Sequence, residues 1–225
     1  MKKISFFLLI IILSFTSKTL ANIETEFNEW KKNFKIRALE NNISEETFNI
    51  TMANVRFLPK VIEYDRFQPE FYEDTKTYIS KRASTKKVNE GLILYKKENN
   101  LIISVEKKFN IEKELLLALM GIETNYGRYV GKMDILSSLS TLSFDKRRSE
   151  FFTQELLTLL KLVESKQIDH TTLFGSWAGA FGFFQFMPST IKNHAIDYDN
   201  DQHINLKDTK DSFASAANYL NNMGW

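Results

Sequence analysis

A carboxylate stands where a helical pattern asks for an apolar side chain. Leu115, Leu116, Leu119 and Ile122 recur at three- and four-residue steps, the stripe of a helix packing on a core. Glu123 falls on or beside that stripe, and Asn125-Tyr126-Gly127 follows at once, with Gly127 supplying a left-handed stop. Partial desolvation and the negative end of the helix dipole both disfavour the anion, so both raise the pKa of Glu123. A carboxyl that keeps its proton near neutral pH can serve as a general acid. The plain alternative is a glutamate at a frayed helix end, turned to water.

A second unusual stretch runs from Gly175 to Ser189, Gly-Ser-Trp-Ala-Gly-Ala-Phe-Gly-Phe-Phe-Gln-Phe-Met-Pro-Ser. Small residues alternate with rings, so backbones can approach closely while aromatic faces line a surface. Such faces suit sugar rings, with Ser176 and Gln185 as the polar groups that could orient a carboxyl or a substrate oxygen. Tight packing around a hydrogen-bonded Gln185 explains the same spacing.

The third stretch is acidic. Asp197, Asp199 and Asp201 occupy positions one, three and five of a calcium loop, with the His203 carbonyl at position seven. Gln202 stands where glycine is expected, and Asp208 replaces the longer bidentate glutamate; Asp211, three residues on, could close a longer loop. Carboxylates so clustered repel one another without a cation, which favours a metal site over a solvated turn capping the next helix.

These residues need elements to carry them, and the chain reads as overwhelmingly helical. Only three prolines and eight glycines interrupt it, and no strand alternation of useful length is present. A helix is expected from Glu24 to Glu40, and another begins at an N-cap on Ser44 and closes at Phe57-Leu58-Pro59. Asp65 to Ser80 reads as an aromatic segment wrapped over the core. Ser84 caps a long helix with Val88, Leu92, Tyr95, Ile102, Val105 and Phe109 inward and an interruption at Asn99-Asn100. Asn110 is expected to cap the Glu123 helix, Asp134 the next, and Asp145 the one after.

Composition narrows the function classes. Lys2 and Lys3 precede an apolar run from Ile4 to Phe15, and Thr19-Leu20-Ala21 ends in a small residue, the order of a cleaved secretory signal over residues 1–21. There is no cysteine, hence no disulfide, thiol nucleophile, thiolate metal site or lipid acceptor. Removing the leader takes away three lysines and no acid, changing the formal charge from +2 to −1. A near-neutral exported domain gives no electrostatic case for nucleic acid.

Gly121-Ile-Glu123-Thr-Asn-Tyr-Gly127-Arg128, the Gly175–Ser189 stretch, and the Asp197 loop leading to Ala217-Asn218-Tyr219-Leu220 together resemble the lytic murein transglycosylase B family. The segments Leu136 to Phe152 and Leu58-Pro59 to Phe71 resemble it too. The resemblance implies a mainly α, lysozyme-like catalytic core over 84–225, an additional N-terminal helical region over 22–83 and an EF-hand-like calcium loop. It also implies cleavage of the bond between N-acetylmuramic acid and N-acetylglucosamine in peptidoglycan, giving 1,6-anhydro products. Glu123 would be the single acid/base, with Ser176, Gln185, Tyr219 and Tyr126 binding substrate. Asp197, Asp199, Asp201, His203 and Asp211 would hold a structural calcium ion that the chemistry does not require.

Members of that family continue past the position of Gly224-Trp225, and the tail carries further cleft residues. The expectation is therefore a monomeric, periplasmic enzyme acting on glycan strands, with other cell-wall enzymes as further candidate partners. The alternatives are a weak or inactive peptidoglycan-binding protein, a muramidase that uses water, and, on the acidic loop alone, a calcium sensor.

Overall fold

The computed structural model describes residues 22–67 and 73–225. The expected signal peptide lies outside these residues, as does part of the Leu58–Phe71 motif.

Helix α1 (residues 22–40) opens the chain. It buries Phe27, Phe34 and Ala38, and Trp30 stacks between the two phenylalanines with ring centroids 5.3 Å from each. Ser44 caps α2 (Glu45–Met52) as expected, its hydroxyl accepting the Thr47 N–H. Pro59, however, does not close a helix. It opens α3 (Pro59–Arg66) from the first-turn position, where its missing N–H costs nothing. The segment read as a wrapped stretch is in part helical, since α3 runs to Arg66 and α4 (Thr75–Arg82) follows.

The expected long helix is two, α5 (Thr85–Lys97) and α6 (Asn99–Phe109), broken at Glu98 beside the Asn99-Asn100 pair. Val88 and Leu92 do not face the core: they are exposed, and Gly91 is the buried residue of α5. Asn110 closes α6 in the left-handed conformation, so α7 (Lys113–Thr124) starts without a side-chain cap. β1 (Met133–Asp134) pairs antiparallel with β2 (Phe174–Gly175), Met133 opposite Gly175.

Asp134 caps α8 (Ile135–Phe144), accepting from the Leu136 and Ser137 N–H groups. Every residue of α8 from Ile135 to Ser143 is buried, which makes it the central helix. α9 (Ser149–Glu164) packs along it; its N-cap position is Arg148, and Asp145 ends α8 instead, paired with Arg66 at 2.7 Å. α2 and α3 lean on α9 and α8, and Asp65 is buried against Arg147, 3.0 Å away, and Arg148. Removing one partner there would strand a buried charge. α10 (Pro188–His194) and α11 (Thr209–Asn222) complete the fold, α10 against α9 and α11 against α6 and α10. The described chain is mainly α. None of its helices is long and apolar enough to cross a membrane.

Candidate active site

α7 ends in three consecutive left-handed residues, Asn125 (φ 51°), Tyr126 (φ 58°) and Gly127 (φ 81°). The Tyr126 N–H returns to the Met120 carbonyl at 3.2 Å, which stops the helix one residue after Glu123. Thr124 fixes this end: its buried hydroxyl donates to the Phe183 carbonyl at 2.8 Å and accepts the Gly127 N–H at 3.1 Å. An aromatic residue in the left-handed region is strained, and the turn makes use of it. Tyr126 runs back between α5 and α7, donating its hydroxyl to the Lys87 carbonyl at 2.8 Å. A Cβ at Gly91 or Gly121 would come within 2.6 or 2.7 Å of that oxygen, so a side chain at either position would displace the tyrosine. Tyr126 is therefore a structural plug, its hydroxyl held by α5 and its side chain outside the lining of the cleft described below.

The glycine- and aromatic-rich stretch forms a tight hairpin. Phe181 and Phe186 exchange both backbone hydrogen bonds, at 3.1 and 3.0 Å, around the four residues Gly182 to Gln185. Gly182 (φ 79°) and Gln185 (φ 50°) take the left-handed positions. Gln185 Nε2 donates to the carbonyls of Gly182 at 2.9 Å and Val130 at 3.2 Å, which orients the amide and leaves its Oε1 without a partner among the described residues. Gln185 is thus packed by its own hydrogen bonds and also faces a cleft. Ser176 does not line that cleft. Its Oγ accepts the Ala180 N–H at 3.0 Å and closes its own turn.

The cleft occupies about 270 Å3 between α7, the hairpin and α11, and its lining includes Leu119, Glu123, Gln185, Met187, Thr190 and Tyr219. Tyr219 stands with its ring 5.7 Å from Phe186 and 5.2 Å from His194. Glu123 opens into this space and is exposed at the cleft mouth, where the sequence suggested shielding. Protein crowding on its remaining sides nevertheless strips part of its hydration, and this burial raises its pKa, while the charge of Arg82 opposes the rise. A larger groove of about 600 Å3 lies by the 3-10 turn at His170–Thr172. Its carboxylate, Asp169, is pushed the other way by hydrogen bonds from Thr171, which unfits it as an acid.

The acidic loop lies beside the hairpin. Oxygens of Asp197, Asp199 and Asp211 come within 4.8 Å of one another, a hard-oxygen set that suits calcium. Asp201 turns away to accept the His203 N–H, so neither the Asp201 carboxylate nor a side-chain group of His203 joins the cluster. Asp211 is buried, its oxygens accepting the Tyr198 and Asn205 N–H groups at 2.8 Å each, and Asp199 pairs with Lys210 at 3.0 Å. Gln202 takes the left-handed turn (φ 73°) that the loop demands of it. Asp208 caps α11 through the Lys210 and Asp211 N–H groups.

Residues 26–225 match the family described as Transglycosylase SLT domain. This chain is a member of that family. It is 38% identical over 149 residues to membrane-bound lytic murein transglycosylase B of Escherichia coli (strain K12), covering 66% of this chain and 41% of that protein. SltB3 from Pseudomonas aeruginosa, solved in complex with NAG-NAM-pentapeptide and with NAG-anhNAM-pentapeptide, superposes with a TM-score of 0.85 at 33% identity. In the first complex the match covers 88% of this chain and 54% of SltB3. The Escherichia coli lytic transglycosylase Slt35 in complex with calcium gives a TM-score of 0.77 at 31% identity, over 87% of this chain and 63% of that one. The chain thus spans less than two thirds of the length of each of these relatives, and its fold is the lysozyme-like one of SLT transglycosylases.

Two residues of this SLT domain that hold the candidate site in place were not singled out from the sequence. Glu155 on α9 accepts the Ser189 N–H at 2.9 Å and its hydroxyl at 2.6 Å, holding the α10 end of the hairpin. Its signal was present: a carboxylate in an apolar stripe. Thr124 carried none, being an ordinary residue for a last turn.

Proposed function

We propose that this chain is an exported peptidoglycan lytic transglycosylase that cleaves the MurNAc–GlcNAc β-1,4 bond, with Glu123 as its single acid/base. The observation that carries the reading is the cleft itself. Glu123 is its one carboxylate among the described residues, its proton affinity is raised, and it faces Gln185 and Tyr219. Ordinary glycoside hydrolysis uses two carboxylates flanking the bond. The other candidates from the sequence are engaged elsewhere, Asp134 in capping α8 and Asp145 with Arg66.

One carboxyl suffices if the sugar supplies the rest. Glu123 gives its proton to the glycosidic oxygen as the C1–O bond breaks, and the 2-acetamido oxygen bonds to C1. The Glu123 carboxylate then takes the proton of the C6 hydroxyl, whose oxygen displaces the acetamido oxygen from C1 and leaves a 1,6-anhydro ring. The proton is back on Glu123 and no water is consumed. A tethered C6 hydroxyl has the entropic advantage of an intramolecular nucleophile. The ligands of SltB3, a NAM and an anhNAM glycopeptide, correspond to the two sides of such a reaction. Asp197, Asp199 and Asp211 would hold a calcium ion, which would brace the loop and take no part in the chemistry. Export follows from the expected leader over residues 1–21.

The test is Glu123→Gln, which keeps the shape and removes the titrating proton. Release of anhydromuropeptides from purified sacculi, read by mass spectrometry, should fall by about 10²–10⁴-fold, the contribution of a general acid. Release at the wild-type rate would refute the assignment of Glu123. Reducing-end products would mean a muramidase, and sacculus binding without soluble product would mean a binding protein.

A further inference from the structure

Tyr219 lines the cleft from α11, and its ring is held from two sides. Phe186 of the hairpin lies 5.7 Å away at 58°, and the His194 ring makes a T-shaped contact at 5.2 Å and 75°. Rings at such distances and tilts attract, so each contact favours one orientation of the tyrosine. The Phe186 side is anchored by the paired backbone of the hairpin. The His194 side has an anchorage of its own.

His194 is the last residue of α10, and α11 grips it twice. Asn218 Nδ2 donates to the His194 carbonyl at 2.9 Å, and Asn222 Nδ2 lies 3.3 Å from the ring nitrogen Nδ1. An amide nitrogen only donates, so Nδ1 accepts and the imidazole carries its proton on Nε2. One bond fixes the backbone of His194 and the other the plane of its ring. Asn218 and Asn222 stand one turn apart on α11, so they present both bonds on one face, beside Tyr219. On α10, Thr190 lines the cleft and His194 follows it by four residues, on the same face. The interior contacts of α10 are made by Pro188 and Ile191, whereas His194 and Tyr219 are only partly buried.

We propose that His194 is a positioning residue: its imidazole, gripped by Asn218 and Asn222, holds the Tyr219 ring in the orientation that meets substrate in the cleft. The inference rests on the peptidoglycan reading above, with Tyr219 as a substrate contact. His194 is not part of the cleft lining, so it acts through Tyr219 and touches no reacting atom. Its ring is the part that Tyr219 feels, and Nδ1 is the part that α11 holds.

Calorimetry with a NAG-NAM-pentapeptide on Glu123→Gln protein reads affinity without turnover. His194→Asn keeps a polar group for Asn222 and removes the ring, so affinity should fall about fivefold, the measure of one aromatic contact. His194→Phe keeps the ring and should stay within about twofold of the parent. In a Tyr219→Ala background there is no ring to position, and the two His194 variants should bind alike. In protein that retains Glu123, His194→Asn should raise KM on sacculi about fivefold and leave kcat within about twofold. A loss that persists in the Tyr219→Ala background, an equal loss in His194→Phe, or no loss in His194→Asn overturns the proposal. So does a fall in kcat at constant KM, or full affinity in Tyr219→Ala itself. If Tyr219→Ala leaves no measurable binding, the ratio between His194→Asn and His194→Phe in protein that retains Tyr219 decides. Should His194→Asn not fold, His194→Leu, which fills the space without an aromatic ring, takes its place with the same expectations. A failure of the peptidoglycan reading is distinct: the glycopeptide then does not bind protein with His194 and Tyr219 both intact, and the proposal falls with it.

Discussion

Glu155 sits on α9 among Phe152, Leu156 and Leu159, as out of place in an apolar stripe as Glu123 is on α7. It is the more buried of the two at 5% exposure, yet both its oxygens are taken up by Ser189. Glu123 has no hydrogen-bond partner among the described residues, and burial raises its pKa against the charge of Arg82. The two carboxylates thus differ in hydrogen-bond saturation, which no spacing rule records. A stability prediction follows from the sign of the shift. A carboxyl with raised folded pKa destabilises the fold above that pKa, where it must ionise, and not below the unfolded value of about 4.3. Glu123→Gln should therefore melt at a higher temperature than wild type at pH 8, with the gap closing as the pH falls to about 4. An equal gap at both pH values would mean that ionisation is not its source.

α8 is nearly all interior, and Ser138, Ser140 and Ser143 place hydroxyls there with no hydrogen-bond partner among the described residues. Small side chains let α9 lie close, so serine serves packing where its oxygen does not. Alanine keeps the volume and removes the orphan group, whose burial costs about 1 kcal/mol or more. Ser138→Ala or Ser140→Ala should raise the melting temperature by about 2–4 °C each; a drop would show that the hydroxyl is satisfied. At this scale the sequence was legible where the determinant is local. Ser44, Ser84 and Asp134 cap the helices assigned to them because a cap is a side chain reaching its own next turn. It misled where one residue type serves two ends: asparagine fits an N-cap and a left-handed stop, and proline closes or opens a helix. The apolar spacing of Val88 and Leu92 could not say whether anything packs on them. In the candidate site, Glu123, Gln185 and Tyr219 line one cleft, whereas Ser176 and Tyr126 share their motifs but turn elsewhere. Motif membership fixes a position along the chain, and the direction of a side chain depends on the φ of its turn.

Across the whole molecule, the acidic loop and the acid-bearing helix are joined by one residue. Phe183 donates its N–H to the Leu206 carbonyl at 2.8 Å, and its own carbonyl accepts from Thr124 beside Glu123. Gly182 lies so close to Leu206 that a Cβ there would come within 2.6 Å. Order in the loop therefore passes through two hydrogen bonds to the hairpin that carries Gln185 and to the last turn of α7. A cation held by Asp197, Asp199 and Asp211 would relieve the repulsion of three carboxylates and take over Asp199 from Lys210. Binding to the folded state alone contributes about 2.7 kcal/mol at a hundredfold excess over Kd. For a domain of this size, calcium should then raise the melting temperature by about 5–10 °C over chelator-treated protein, and Asp197→Asn should shrink that gain. Because the hairpin depends on the loop, chelation should also lower kcat/KM on sacculi, mostly through a higher KM, with the limiting pH of Glu123 unmoved. Thermal shift without a change in KM would confine the ion's effect to the loop and break the proposed link through Phe183. No thermal shift would exclude calcium from the acidic cluster altogether.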